Sequence, residues 1–184
     1  MNGREILIGV TGGIAAYKTA ALVSQLVQQG AGVSVVMTAA AQQFIGVTTF
    51  AALTGRPVAT TIFAEHAHPL GAHIALAERA ELLCIAPATA HFMAKASQGL
   101  ADDLLSTLYL SFTGPVIMAP AMNCDMWEKA AVQRNVRQLQ EDGVHMVGPE
   151  EGWLSCRKQG YGRMSSPEEI LAAIQRTLGG SGSR

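Results

Sequence analysis

The sequence has few aromatic residues, little excess charge and no pattern of paired cysteines. Aromatic residues make up 5% of the 184 residues, so the core must be built from Ala, Val, Leu and Ile, which suits strands that helices cover on both faces. A formal net charge of -1 gives no electrostatic reason to expect nucleic acid or an anionic membrane as a partner. The three cysteines lack paired spacing, which argues against a disulfide framework or a zinc site and fits a reducing compartment.

A signal peptide and a membrane-spanning apolar run are also missing. We therefore expect a soluble, cytoplasmic protein. The length of 184 residues is most simply one domain, which we place at 1–178. The remaining residues, 179–184 with the sequence GGSGSR, are typical of a flexible tail.

Apolar strands alternate with amphipathic segments along the chain. This order predicts an α/β fold, a single-domain doubly wound parallel sheet of the Rossmann-like or flavodoxin-like kind with helices on both faces. The predicted strands are Glu5–Thr11, Gly32–Met37, Leu82–Ala86, Val116–Ala119 and His145–Val147. The predicted helices are Ile14–Gln29, Ala39–Phe44, Thr48–Leu53, Ile74–Glu81, Thr89–Ser97, Asp102–Ser111, Glu128–Glu141 and Pro167–Leu178. The segments Thr54–Gly71 and Gly148–Arg163 are predicted to be irregular.

Gly12 and Gly13 stand where the first strand hands over to the first helix. Glycines at such a turn let the backbone approach a phosphate, and the helix N-terminus offers N–H groups. The spacing fits neither G-x-G-x-x-G nor a P-loop, and Thr38 stands where a NAD-binding protein would carry an acid. The turn by itself leaves two interpretations equally open, a site for one phosphate, as in FMN, and a tight turn without a ligand.

Two apolar strands end in Ala-Pro and then a polar turn, with APATAH after Leu82–Ala86 and APAMN after Val116–Ala119. Ligands of open α/β sheets bind outside the carboxyl ends of the strands. We therefore expect the two turns to share one site, to which Asn123 brings an uncharged amide.

Histidines and cysteines are the remaining candidates for chemistry. His66, His68 and His73 lack a helical i, i+4 pair, which argues against a metal site. His73 on its own is more simply interpreted as a helix-capping or exposed residue. Cys84 lies within an apolar strand and is predicted to be a packing residue. Cys156 lies between glycines and beside two cations, so it is either a reactive thiol or an incidental surface thiol.

Taken together, these segments resemble the flavin-containing cysteine decarboxylases, and most of all the members that act on phosphopantothenoylcysteine in coenzyme A synthesis. The likeness runs from about Ile6 to about Ile170 and rests on TGGIAAYK, HIALAERAELL, APATA, PAMNCDMW and CRKQGYGRM in that order. PAMNCDMW fits the family pattern P-x-M-N-x-x-M-W at every fixed position. His91 and Asp102 depart from the family, which commonly has Asn at both places.

The resemblance implies decarboxylation of 4′-phosphopantothenoylcysteine to 4′-phosphopantetheine with FMN, through a thioaldehyde and an enethiolate. It implies that His73 orients the substrate and that Cys156 donates a proton to the enethiolate. The substrate-binding residues it implies are Asn123, Met126, Gly160, Gly162 and Arg163. The FMN-binding residues it implies are Gly12, Gly13, Ile14, Thr38, Phe44, Thr89, Ala90, His91 and Ala121, and it implies no metal.

The family resemblance also implies partners. These are further copies of the chain in a homotrimer or a dodecamer of trimers, with FMN between subunits, and a phosphopantothenate–cysteine ligase domain or protein. Two alternatives within the family stay open. One is a decarboxylase of the C-terminal Cys of a lanthipeptide-type precursor, and the other is a non-catalytic flavoprotein subunit. The cysteine in CRKQGYGRM favours the small-molecule substrate.

Overall fold

A five-stranded parallel sheet forms the centre of the computed structural model, which describes residues 1–63, 71–155 and 157–180. The strand order is β2-β1-β3-β4-β5, with β1 at Glu5–Val10, β2 at Gly32–Met37, β3 at Leu82–Ala88, β4 at Val116–Pro120 and β5 at His145–Met146. Since the order reverses between β1 and β3, a ligand crevice is expected at the carboxyl ends of these two strands. The predicted doubly wound, flavodoxin-like sheet is confirmed.

Helices cover both faces of the sheet. They are α1 at Ala16–Gln28, α2 at Val47–Thr54, α3 at Ala72–Arg79, α4 at Ala90–Ser97, α5 at Leu104–Ser111, α6 at Cys124–Trp127, α7 at Ala130–Glu141 and α8 at Pro167–Gly180. One apolar cluster joins α1, α2 and α8 to one face of the sheet, and a second joins α3, α4, α5 and α7 to the other. The central strands are therefore apolar along their whole length rather than alternating.

The structure corrects the prediction for Gly148–Arg163. This segment contains an antiparallel hairpin of β6, Glu150–Trp153, and β7, Gln159–Arg163. Glycines and charged residues make up most of both strands, so the apolar alternation that identifies a strand is missing. The hairpin is stabilised instead by its packing on other parts of the fold.

Several helix boundaries also differ from the prediction. The segment predicted as a helix at Ala39–Phe44 has only a 3-10 turn at Ala41–Gln43. The short helix α6 was not predicted, and α7 begins two residues after the predicted start at Glu128. Helix α8 continues to Gly180, so the first two residues of the predicted tail are helical. Ser166 caps this helix, since its Oγ accepts from the Glu169 N–H at 3.2 Å.

A network of charges lies at the amino end of the sheet, away from the carboxyl edge. The Glu5 carboxylate accepts two hydrogen bonds from Arg56, at 2.6 and 2.8 Å, and two from Arg79, at 3.1 and 3.4 Å. The hydrogen bond with Arg56 outweighs the effect of burial and lowers the pKa of Glu5. This network ties the first strand to the segment after α2 and to the end of α3.

Two predicted features fall outside the described residues. One is the pair His66 and His68, in the stretch 64–70, and the other is Cys156. Residues 181–184 of the predicted tail also lie outside the described ranges. Over the ranges that the structure does describe, none of the helices has the length and apolar character needed to cross a membrane.

Candidate active site

A cavity of about 910 Å³ lies at the carboxyl edge of the sheet. Its walls come from the turns after the first four strands, from the first turns of α1 and α4, and from the hairpin. Ligand-binding cavities of small molecules commonly measure about 300–1,000 Å³. The predicted site residues that line it are Gly12, Gly13, Ile14, Thr38, Thr89, Ala90, His91, Ala121, Asn123, Met126, Gly162 and Arg163. Both Ala-Pro turns line this one cavity, as the sequence predicted.

The turn between β1 and α1 offers backbone donors to the cavity. A Cβ at Gly12 would come within 2.5 Å of the Ala40 Cβ, so only glycine fits where this turn meets the segment after β2. The N–H groups of Ile14 and Ala15 precede the helix, and neither has a recorded hydrogen-bond partner among the described residues. Unpaired N–H groups at a helix N-terminus are suited to bind an anion such as a phosphate.

The turn after β3 lies directly beside the glycine turn. Thr89 caps α4, because its Oγ1 accepts a hydrogen bond from the Phe92 N–H at 3.3 Å. A Cβ at Gly13 would lie 3.6 Å from the Thr89 Cγ2, an ordinary van der Waals distance. The two turns therefore form one continuous wall, which His91, an exposed residue, extends.

Asn123 follows β4 and presents a defined end of its amide to the cavity. It is the N-cap of α6, and its Oδ1 accepts a hydrogen bond from the Asp125 N–H at 2.7 Å. This bond fixes which end of the amide is oxygen. The Nδ2 group has no recorded partner within the described part of the chain, so its two N–H donors remain available to an acceptor such as a carboxylate.

The hairpin packs on the Asn123 turn through its glycines. The Met122 N–H donates to the Gly162 carbonyl at 2.9 Å. Gly162 has φ +139°, and a Cβ there would overlap the Met122 carbonyl oxygen. A Cβ at Gly160 would approach the Cys124 Cβ to 3.0 Å. These glycines therefore permit close packing, a role that the sequence did not reveal.

An ion pair reinforces the same contact. Lys158 binds the Asp125 carboxylate at 2.5 Å, and its hydrogen bond lowers the pKa of Asp125. Both side chains are exposed, so the pair stabilises the fold little. It does show that the segment just before β7 contacts α6 at a further point besides Gly160 and Gly162.

Three cations line the cavity, each held differently. Lys95 binds Asp102 at 2.6 Å and Asp103 at 3.0 Å, and these bonds outweigh burial and raise the pKa of Lys95. Arg163 binds the Glu150 carboxylate at 2.7 Å. The Lys18 Nζ donates to the Met164 carbonyl at 2.8 Å.

Lys18 is unlike the other two cations of the cavity. Burial, and then the nearby Arg163 charge, lower its pKa. Among the described residues, no carboxylate lies within ion-pair distance of its ammonium. Lys18 and Lys95 were not predicted as site residues, although Lys18 belongs to the TGGIAAYK segment.

The comparison with known proteins decides the family. A model of the flavoprotein family, described as Flavoprotein, matches residues 1–179. The chain belongs to the flavoprotein family. Its similarity to curated relatives is also extensive. The coenzyme A biosynthesis bifunctional protein CoaBC of Bacillus subtilis (strain 168) is 44% identical over 176 residues, which are 96% of this chain and 43% of the relative. The flavoprotein thus spans less than half the length of the relatives it matches.

Solved structures share the fold over nearly the whole flavoprotein. The FMN-dependent cysteine decarboxylase SpaF is 36% identical, with a TM-score of 0.84, and the match covers 98% of each chain. A PPC decarboxylase variant in complex with pantothenoylaminoethenethiol is 26% identical, with a TM-score of 0.84, over 96% of this chain and 98% of the other.

Three predicted site residues of the flavoprotein lie outside the cavity wall. Phe44, half exposed after the 3-10 turn, and Gly160, on β7, do not line it. His73 lies in the first turn of α3, so it is helical rather than before the helix. Its Nδ1 is buried, and it has no hydrogen-bond partner among the residues that the structure describes. His73 is not among the residues that line the cavity of its own chain.

Proposed function

We propose that this flavoprotein decarboxylates 4′-phosphopantothenoylcysteine to 4′-phosphopantetheine with FMN as its cofactor. The observation that carries the proposal is the arrangement of the cavity. Unpaired backbone donors at Ile14 and Ala15 stand on one wall, and the amide donors of Asn123 stand on another. This arrangement suits a cofactor phosphate at one place and a substrate carboxylate at the other. The similarity to CoaBC proteins and to a PPC decarboxylase supports the same reaction.

FMN fits the first wall of the cavity. The N–H groups at the start of α1 and the Thr38 hydroxyl would hold its phosphate. The other cofactor-binding residues that we propose are those that line the cavity, Gly12, Gly13, Thr89, Ala90, His91 and Ala121. Bound FMN would supply a two-electron oxidation of the substrate carbon that bears the thiol and, after CO₂ loss, the return of the same two electrons, which gives the saturated thiol.

Asn123 would bind the substrate carboxylate through its Nδ2 donors. A neutral amide is suitable, because the carboxylate loses its charge as CO₂ forms, and a cation would stabilise the ground state more than the transition state. The electron pair of the broken C–C bond would move into an enethiolate. Cys156 would then donate a proton to carbon, and Met126, Gly162 and Arg163, which line the cavity, would bind the rest of the substrate.

His73 would act on a neighbouring copy of the chain. Its position outside the cavity supports a homo-oligomer in which one subunit completes the site of the next, and we propose a homotrimer or a dodecamer of trimers. The substrate would come from a phosphopantothenate–cysteine ligase, as a domain or a separate protein.

The experiment is an assay of the purified flavoprotein with two substrates, 4′-phosphopantothenoylcysteine and a peptide that ends in Cys. We expect CO₂ and 4′-phosphopantetheine from the first, detected by mass spectrometry, and little product from the second. Turnover of the peptide alone would favour the peptidyl-cysteine decarboxylase, and turnover of neither would favour a non-catalytic subunit. A chain that binds no FMN would contradict the proposed cofactor, and with it the proposed reaction.

A further inference from the structure

Thr11 is a buried polar residue that connects the two turns of the cofactor wall. It directly follows β1, and its side chain is among the few buried polar ones, with the residue 2% exposed. Its hydroxyl lies 2.6 Å from the Pro87 carbonyl oxygen and 3.2 Å from the Thr89 Oγ1. The Thr89 N–H donates to the Thr11 Oγ1 at 3.1 Å. The Thr11 hydroxyl thus lies within hydrogen-bond distance of three groups at the end of β3.

The protons of these two hydroxyls can be assigned from the distances. Thr11 has one proton, and the short distance directs it to the Pro87 carbonyl. The Thr89 Oγ1 accepts from the Phe92 N–H and lies 3.2 Å from the Thr11 Oγ1, so the Thr89 proton has the Thr11 oxygen as an acceptor within the chain. Since Thr89 lines the cavity, a charged acceptor bound there, such as a phosphate, would compete for this proton and form the stronger hydrogen bond.

We propose that Thr11 is a positioning residue, which holds Thr89 so that the Thr89 hydroxyl donates to the FMN phosphate. The inference rests on the proposed FMN site and adds a residue that acts without touching the cofactor. The Thr89 Oγ1 lies 3.2 Å from the Oγ1 of Thr11, the residue directly before Gly12, so the Thr89 hydroxyl lies next to the strand end from which the phosphate-binding turn starts. Without the Thr11 hydroxyl, the Thr89 N–H and the Pro87 carbonyl would both lose a partner.

Thr19, which lies in α1, provides a matched control. It is fully buried, and its hydroxyl donates to the Ala86 carbonyl at 2.7 Å. Like Thr11, it ties a neighbouring element to the end of β3. Unlike Thr11, it does not line the cavity and has no recorded contact with Thr89. Thr19→Val therefore removes a comparable buried hydrogen bond without the proposed role.

The experiment measures the dissociation constants of FMN and of riboflavin, which lacks the phosphate, for the full chain. For Thr11→Val we expect FMN to bind about tenfold more weakly, the loss of roughly one buried hydrogen bond. Riboflavin should change by less than about twofold, because the lost contact concerns the phosphate. Thr11→Ser should retain the affinity of the unaltered chain, and Thr19→Val should stay within about twofold of it. Thermal unfolding reports the stability of each variant.

A double-mutant cycle shows whether Thr11 acts through Thr89. If it does, Thr11→Val should weaken FMN binding little further in a Thr89→Val background. The inference is overturned if the two substitutions weaken FMN binding additively, or if Thr11→Val leaves FMN binding unchanged. It is also overturned if Thr11→Val weakens riboflavin binding as much as FMN binding, or if Thr19→Val weakens FMN binding as much as Thr11→Val does. Should Thr11→Val give no soluble protein, Thr11→Ala replaces it. Failure of the unaltered chain to bind FMN would contradict the proposed function itself, which separates the two cases.

Discussion

The backbone N–H of Met122 donates to the carbonyl of Gly162 at 2.9 Å, and this bond joins the turn after β4 to the second strand of the hairpin. Gly162 is buried and has φ +139°, a conformation that strains any residue with a Cβ. The hairpin can lie against the Asn123 turn only because residue 162 has no side chain.

Gly162→Ala should therefore damage both the fold and the site. The new methyl group would overlap the Met122 carbonyl oxygen, so either the hairpin or the turn must move. We expect the free energy of unfolding to fall by about 2 kcal/mol or more and decarboxylation to fall more than about tenfold. Denaturant unfolding and product assays measure the two effects.

Gly179→Ala is the control for that substitution. Gly179 lies in α8, and no atom lies within 4 Å of an added Cβ. Because alanine favours a helix, this variant should be neutral or more stable by up to about 1 kcal/mol. Equal stability of the two variants would show that the hairpin does not depend on the close contact.

Asn123→Asp should prevent substrate binding without harming the fold. A carboxylate can accept the same bond from the Asp125 N–H, and a negative charge is favourable at a helix N-terminus. The Nδ2 donors, however, become an oxygen that repels the substrate carboxylate. We expect kcat/KM to fall by about 100-fold or more, with unchanged FMN content and unfolding temperature. An active Asn123→Asp variant would show that the carboxylate binds elsewhere.

His73→Asn should abolish decarboxylation and leave FMN binding unchanged, because His73 lies outside the cavity of its own chain. His145→Asn, at an exposed position of β5, is the control and should be active. Oligomers mixed from the His73→Asn and Asn123→Asp chains should regain part of the activity, since some sites would then contain both native residues. If the mixed oligomers regained no decarboxylation activity, this result would argue against a site that is shared between subunits.

The stabilisation by Glu5 should depend on pH. The pKa of Glu5 is lowered by its hydrogen bond with Arg56, so its contribution is complete above the ordinary carboxyl pKa of about 4.3. It is lost as the pH falls through the lower pKa of the folded state. At pH 7 we expect Glu5→Gln to lower the free energy of unfolding by about 1 kcal/mol.

The test measures the free energy of unfolding in urea for Glu5→Gln and for the unaltered chain, at pH values from 7 down to the lowest pH at which the unaltered chain stays folded. The difference should shrink as the carboxyl group of the folded chain becomes protonated. Glu141→Gln, at the exposed end of α7, should show no such difference. If the difference in unfolding free energy between Glu5→Gln and the unaltered chain stayed constant with pH, the proposed role of the Glu5 charge would be contradicted.

Cys84 should resist alkylation in the native protein. Burial raises its pKa to about 12, so at pH 8 the thiolate fraction is on the order of 10⁻⁴, and the side chain is inaccessible. Iodoacetamide labelling followed by peptide mass mapping should find Cys84 modified only after denaturation. Rapid labelling of Cys84 in the folded chain would show that the sheet opens at β3.

Sequence patterns were sufficient for the parts of the fold that are defined locally. The buried strand β2 was predicted with its observed limits, because a short, mainly apolar run of β-branched residues directly after the Gly30 helix stop favours a strand. The two Ala-Pro turns were expected at one edge because parallel strands carry their carboxyl ends together. The hairpin was missed, since Gly152, Gly160 and Gly162 give it no apolar alternation.

The sequence by itself determined a doubly wound sheet, a phosphate-compatible glycine turn and the candidate amide of Asn123, because each depends on neighbours in the chain. Tertiary structure alone decided that β7 packs on the Met122 carbonyl, that Thr11 binds the end of β3, and that His73 stays outside the cavity. These contacts join residues distant in the chain, and their geometry depends on how the helices and strands pack. No local periodicity records that packing.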